Sequence, residues 1–268
     1  MAIPKAVLHF IAGGDFSAVL ARVKLLNKQG IKALIDLLGE ELHDREEVEK
    51  VVQEYKKLIS EIKKKKLNAA IDLKLTNIGL CISKDYCLHN LIEILSYAKL
   101  ANVQVWIDAE QHKYRVPTTQ LYLRIHKKFE NVFLTVQAYT KDSYDYLEKL
   151  IQQGAKIRLV KGAYKEKFVF KSKETVRKQF SKLMRHLFVT SDHFAIATHD
   201  EILLSEALKL QELYHKQIEF QLLMGLSEKF MAQLKRFDNV AEYVPYGTDW
   251  KGYYERRLAY LKQRTGRQ

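Results

Sequence analysis

Arg256 and Arg257 stand side by side in the run Tyr253-Tyr254-Glu255-Arg256-Arg257-Leu258, shortly after Tyr243-Val244-Pro245-Tyr246-Gly247. The pattern reads as a strand ending at Pro245 and Gly247, then a helix opening near Asp249. Neighbours on a helix point about 100° apart, so two guanidiniums can approach one small anion from two sides. The planar fork of arginine matches a carboxylate or a phosphate. A solvated basic helix face is the bland reading of the same residues. The position directly after a strand, and the polar residues upstream, favour a site.

Those upstream residues fall at the ends of apolar runs. Arg158 lies between Ile157 and Leu159, where burial is costly without a partner. Lys161 is three residues on, at a strand end that Gly162 bends. Together with His199 these cations suit a pyrophosphate, although strand-end charge facing solvent is the plainer alternative. Lys74, inside Ile71-Asp72-Leu73-Lys74-Leu75, either points into a core and meets Asp108 or a substrate carboxylate, or snorkels outward. Asp108 and Glu110 share one strand face. Such a pair can do acid–base work, cap a helix, or orient Arg256 and Arg257, and orientation is preferred. Tyr164, Tyr243 and Tyr253 can wall a small apolar ring, or simply fill core.

Elements of alternating type must position these groups. Strand-like runs occur at Ala33–Leu38, Ala70–Leu75, Val103–Asp108, Val132–Gln137, Lys156–Lys161, Phe194–Thr198, Ile218–Leu222 and Val240–Val244. Helical segments are expected at Asp15–Gln29, Asp44–Lys66, His89–Ala101, Thr118–Phe129, Ser143–Gln153, Lys173–Arg185, Asp200–Tyr214 and Glu228–Phe237. Asp44 and Glu47 have capping-box spacing. This alternation implies parallel strands with helical crossovers, and the number of strands points to a closed (β/α)8 barrel in one domain, residues 1–268. An open doubly wound sheet would carry a glycine-rich phosphate loop after its first strand, which is missing. In a barrel, catalytic groups sit at the C-terminal strand ends, where these polar residues recur.

Composition narrows the classes further. The 45 Lys+Arg against 32 Asp+Glu give +13, which favours anionic partners. The basic residues are scattered, without the clustered patch and interleaved aromatics of a nucleic-acid binder. The dense run Lys63–Lys66 ends a helix, where cations complement the macrodipole. No apolar stretch reaches the ~18 residues of a spanning helix, and no secretory signal is recognised at the start. Cys81, Cys87 and His89 lack metal-site spacing, so no metal is expected and reduced thiols are the better reading.

The chain resembles the proline dehydrogenases, flavoenzymes that oxidise L-proline to Δ1-pyrroline-5-carboxylate. The resemblance rests on Leu37-Leu38-Gly39-Glu40, Asp72 to Thr76, Ile107 to Glu110, Gln137-Ala138-Tyr139, Arg158 to Tyr164, Ala197 to Asp200, Glu219-Phe220-Gln221 and Tyr243 to Leu258, in order. It implies a distorted TIM-like barrel with its last helix over the mouth and a non-covalent FAD at the strand ends. Arg256, Arg257 and Lys74 would then bind the proline carboxylate, with Asp108 holding the arginine cluster. Tyr164, Leu223 and Tyr243 would line the pyrrolidine ring. Arg158 would approach the flavin N5 and Gln137 its pyrimidine edge. Lys161, Gly162, Ala163, Thr198 and His199 would serve the rest of the cofactor. Glu40 matches a carboxylate that closes the site through an arginine ion pair. The resemblance also implies a membrane quinone as acceptor and a cytoplasmic location, with contact at the inner membrane face left open. Hydroxyproline or another cyclic imino acid is the alternative substrate. Two departures stand out: Tyr260 replaces a frequent glutamate, and helices that precede the barrel in many relatives are expected to be absent or very short.

Overall fold

In a computed structural model of the chain, eight strands close into one parallel barrel in sequence order: β1 Lys32–Leu37, β2 Ala69–Leu73, β3 Val105–Ile107, β4 Val132–Gln137, β5 Ile157–Val160, β6 Phe194–Ala197, β7 Glu219–Leu223 and β8 Val240–Tyr246. The structure describes residues 3–226, 230, 234 and 239–265. The ring closes where β8 pairs with β1, Tyr243 opposite Leu34 and Val244 opposite Ile35.

Because side chains alternate along a strand, one row from each strand points inward. The inward rows stack in layers. At the base, Lys32 Nζ bonds Glu219 at 2.6 Å. Leu34, Ala70, Trp106, Phe133 and Ala195 fill the middle as one cluster, with Trp106 and Phe133 stacked at 4.2 Å. Above them the inward rows turn polar, and that layer forms the floor of the site.

The outward rows pack against helices: α2 Phe16–Lys28, α3 Arg45–Lys64, α4 Lys84–Ala101, α5 His112–Ile125, α6 Ser143–Gln152, α7 Lys173–Thr190 and α8 Glu201–Tyr214. Asp44 caps α3 by accepting from the Glu47 amide at 3.0 Å. On the lower rim, several lysines bond backbone carbonyls beyond their own helix. Lys63 reaches Leu100 O at 2.9 Å and Lys216 reaches Ser191 O at 2.8 Å. Part of the basic excess therefore neutralises helix C-termini, as the Lys63–Lys66 run suggests.

Three helices begin or end elsewhere than their patterns indicate. α4 starts earlier, at Lys84, because the Ser83 hydroxyl accepts from the Tyr86 amide and sets an N-cap. α5 runs through Pro117 from His112, forgoing one backbone hydrogen bond. Its first turns are tied down by Arg115, which grips Asp142. α7 continues to Thr190 because Leu187 and Phe188 are buried. Of the expected helix Glu228–Phe237, only Phe230 and Leu234 are among the described residues, and both are buried.

A short helix, α1 Lys5–Leu8, precedes α2, and its Val7 packs with Phe10, Ile11, Leu226, Tyr243 and Tyr253. A last helix, α9 Lys251–Thr265, does not flank the barrel wall. Tyr253 stacks on the inward-facing Tyr243 at 6.3 Å, and Tyr260 approaches His199 at the end of β6, also at 6.3 Å. The helix thus crosses the mouth, above the C-terminal strand ends. Among the described residues no helix is long and apolar enough to cross a membrane.

Candidate active site

The floor of the mouth is a buried ion network. Arg158, only 3% exposed, donates from Nε to Thr135 Oγ1 at 2.8 Å, from Nη1 to Asp72 and to Gln221 Oε1 at 3.2 Å, and from Nη2 to Asp108 Oδ1 at 3.1 Å. A guanidinium has five N–H groups. Among the described residues these four bonds leave one, on Nη2. Lys74 Nζ lies 3.1 Å from both oxygens of Asp36 and 3.4 Å from Asp108 Oδ2. Asp36 also accepts from Tyr243 Oη at 2.6 Å, which pins that ring.

The electrostatics follow from this packing. Burial pulls the Lys74 ammonium down, but Asp36, Tyr243 and Asp108 more than offset it, so the lysine stays charged. Burial pushes Asp108 up; Lys74 and Arg158 outweigh that and hold its carboxyl below the usual range. Burial pushes the Asp72 carboxyl up to about 7, despite Arg158 beside it.

Of the two partners the sequence offers Asp108, the structure gives Lys74 and corrects the preferred one: Asp108 bonds Lys74 and Arg158, and among the described residues it makes no bond to Arg256 or Arg257. The reason is depth. Asp108 continues an inward row just above Trp106, level with Lys74 and Arg158, whereas the paired arginines belong to the helix overhead. Lys74 points inward, which removes the snorkelling alternative.

The roof is built from α9 and two strand-end loops. Arg256 Nη1 meets Glu40 Oε1 at 2.8 Å, and Tyr164 Oη donates to Glu40 Oε2 at 2.9 Å. The Arg256 guanidinium also lies over the Tyr164 ring, 5.0 Å from its centre. Arg257 is buried over the Tyr253 ring at 5.1 Å, and its Nε has no hydrogen-bond partner among the described residues. Leu223, at the end of β7, packs half-buried against the barrel's inner cluster.

The rim supplies the remaining residues. Gly162 has φ +110, and a Cβ there would meet the Tyr139 ring at 2.3 Å. Only glycine permits this turn, which carries Ala163 and Tyr164 away from β5. Lys161 Nζ bonds Asp200 at 2.6 Å, and Arg177 Nε reaches the same oxygen at 2.8 Å. Thr198 Oγ1 accepts from the Asp200 amide at 3.2 Å, and His199 Nε2 accepts from the Leu223 amide at 3.0 Å. Gln137 Nε2 donates to the Glu110 carbonyl at 3.0 Å.

Two carboxylates central to the network, Asp36 and Asp72, have no role in the sequence reading. Period two would have found them: an inward Lys74 requires an inward Asp72, and the register places Asp72 opposite Asp36. Both Cys81 and Cys87 are free thiols, and Cys87 is buried. Among the described residues no group of three or more His, Cys, Asp or Glu side chains could hold a metal ion.

Glu110 lies beside the floor, buried, and accepts from the Thr76 amide at 3.2 Å and from the Thr76 hydroxyl. Burial pushes its carboxyl from 4.5 up to about 7, against those two bonds. A folded value above the unfolded one means that the native state binds the extra proton in between. The contribution is fully present below about 4.5 and is lost as pH rises through about 7, a change of about 3 kcal/mol. Urea unfolding should therefore show the parent chain losing stability relative to Glu110→Gln between pH 5 and 8. A difference that does not vary with pH would remove the assignment.

The fold and this mouth define a class: a closed α/β barrel whose strand ends and covering helix gather cations around buried carboxylates. A family model described as proline dehydrogenase matches residues 19–265. Proline dehydrogenase 1 of Bacillus subtilis (strain 168) is 35% identical over 257 residues, covering 94% of this chain and 85% of that protein. Proline dehydrogenase 2 of the same strain is 33% identical over 255 residues, with 93% and 84% covered. The chain belongs to the proline dehydrogenase family. Among solved structures, proline utilization A (PutA) from Bdellovibrio bacteriovorus, inactivated by N-propargylglycine, aligns with a TM-score of 0.86 at 20% identity. The alignment covers 94% of this chain and 32% of that one. A mutant of Bradyrhizobium japonicum PutA aligns with a TM-score of 0.77 at 19% identity over 93% of this chain and 30% of that one. At these identities the likeness shows the fold, and this chain spans about a third of the length of those solved chains.

Proposed function

We propose that the enzyme oxidises L-proline to Δ1-pyrroline-5-carboxylate with FAD as its cofactor. The observation that carries the reading is the pair Arg256 and Arg257 over the mouth, with the buried Arg257 Nε left without a partner among the described residues. A buried guanidinium donor in that state calls for an acceptor. The carboxylate of an amino acid supplies one. Arg256 is held by Glu40 at the surface of the same site, and a carboxylate arriving from below would share it. Lys74, charged and on the floor, provides the third positive group. Pinning the carboxylate from above and below leaves the pyrrolidine ring among Tyr164, Leu223 and Tyr243. Tyr243 cannot swing aside, because its hydroxyl is held by Asp36 at 2.6 Å. A substituent at ring carbon 4 would meet that fixed phenol, which favours proline over hydroxyproline.

The residues present fit FAD on three counts. The remaining Arg158 N–H gives a buried cation a donor beside the reacting position. The left-handed Gly162 opens the rim at β5, where a side chain would collide with Tyr139. Lys161 and His199 bring polar groups to adjacent strand ends, the donor chemistry a pyrophosphate takes. Arg158, Gln137, Lys161, Gly162, Ala163, Thr198 and His199 would hold it. When bound, FAD supplies the acceptor for the hydride leaving C5 of proline. The protein's part is to place C5, keep positive charge at the floor and cover the site with α9.

The proposed electron acceptor is a quinone in the membrane. The net charge of +13 favours approach to an anionic lipid surface.

An absorbance spectrum before and after anaerobic addition of L-proline tests the reading. Flavin bands that bleach with proline are the expected result. Bands that persist would point to another imino acid, and no flavin after added FAD would remove the cofactor assignment.

A further inference from the structure

Glu40, which bonds both Arg256 and Tyr164, sits on the loop after β1 and has no support from a helix or strand of its own. Its neighbour Glu41 adopts φ 58, a left-handed conformation that a glutamate leaves unless its surroundings enforce it. Four contacts enforce it. The Glu41 amide donates to Thr76 Oγ1 at 3.0 Å, and the next amide, Leu42, donates to the Thr76 carbonyl at 3.1 Å. The Glu41 carboxylate accepts from Tyr114 Oη at 2.7 Å and from Lys113 Nζ at 2.5 Å.

Thr76 is itself fixed. It is wholly buried in the 3-10 turn Leu75–Ile78, and its amide and hydroxyl both donate to Glu110. Glu110 is held in turn through its carbonyl by Gln137 at the end of β4. A threonine hydroxyl donates one proton and accepts at its oxygen. At Thr76 both capacities are used in one direction: Glu110 takes the proton, and the oxygen takes the Glu41 amide.

We propose that Thr76 and Glu110 are positioning residues that hold the β1–α3 loop, so that Glu40 can close the mouth through Arg256. The chain of contacts runs from the end of β4, through β3 and β2, to the loop of β1, and reaches the substrate through Glu40 and then Arg256. This deepens the proline dehydrogenase reading, on which its kinetic arm rests.

The test compares Thr76→Val, which removes both roles of the hydroxyl, with Thr76→Ser, which keeps them. The first readout needs no substrate. Amide hydrogen exchange across 251–261 should quicken by about tenfold or more in Thr76→Val, with α3 unchanged, and should stay as in the parent for Thr76→Ser. The second is kinetic. Thr76→Val should raise the KM for L-proline about tenfold with kcat within about threefold and flavin content unchanged, because a misplaced Glu40 weakens closure rather than chemistry. In a Glu40→Ala background the same substitution should add nothing, since the group it acts through is gone. Unchanged exchange over α9, or an equal effect of Thr76→Val with and without Glu40, overturns the proposal. If Thr76→Val fails to fold, Glu110→Gln carries the same comparison, with a smaller KM rise that must also vanish without Glu40. A parent enzyme that does not turn over proline would refute the activity, and the exchange measurement would still decide the role of Thr76.

Discussion

Replacing Arg256 with alanine should raise the KM for L-proline by about a hundredfold while leaving flavin content intact. Two losses combine to give that size. The first is a charge-assisted contact between guanidinium and carboxylate, worth about 1.5–3 kcal/mol when a hydrogen bond involves a charged group. The second is closure: without Arg256, Glu40 keeps its bond to Tyr164 but no longer ties α9 to the β1 loop. Flavin should stay, because Arg158, Gln137, Lys161 and His199 lie on strand ends that do not depend on Arg256. Arg256→Lys separates the two losses. It keeps the charge but not the fork that can face Glu40 and a substrate carboxylate at once, so it should recover only part of the affinity. Steady-state kinetics with an artificial electron acceptor, alongside the flavin absorbance of each variant, measures both. An unchanged KM in Arg256→Ala would remove the arginine clamp and leave Lys74 and Arg257 to account for recognition of the carboxylate.

The barrel was legible because its strands are short apolar runs at regular spacing, and each observed strand overlaps an expected one. The polar residues at strand ends were legible for the same reason: an unmatched charge in an apolar run is conspicuous. Pairing was less so. Asp108 looks, in one dimension, like a partner for any arginine; which arginine it meets depends on the height of each inward residue in a staggered barrel. Asp36 and Asp72 interrupt apolar runs just as plainly, but their partners, Lys74 and Arg158, come from other strands and emerge only once the register is set. Helix starts failed where local capping overrode apolar pattern, as at Ser83, or where a proline proved tolerable inside a helix, as at Pro117. The path of α9 over the mouth followed from family resemblance and from no periodicity, because Tyr253, Tyr254 and Tyr260 would mark a wall-packed helix equally well.

Arg158 is where removing one side chain should do the most damage to the fold. It is 3% exposed, and its ion partner Asp72 is wholly buried. In Arg158→Met the methionine fills similar space, but Asp72 and Asp108 lose their shared cation. Breaking a buried pair from one side is costly, about 3–5 kcal/mol. Asp72, pushed up to about 7 even beside Arg158, takes up a proton once the cation is gone and remains as a buried acid without its partner. Asp108 retains Lys74, so the cost falls mainly on Asp72, whose Oδ1 already lacks a hydrogen-bond partner among the described residues. The expected result is a large fall in the urea midpoint, with flavin content falling in parallel if, as proposed, the same residue offers its remaining N–H to the cofactor. Adding Asp72→Asn should restore part of the stability, and more of it as pH rises, because it removes the acid that must stay protonated without Arg158, but should not restore the flavin. Such a split would separate the two duties of Arg158: one toward the fold, through Asp72, and one toward the site, through Nη2. If Arg158→Met keeps the parent midpoint, the network holds the site together without holding up the barrel. If the double variant regains flavin as well as stability, Arg158 serves the cofactor only through the fold.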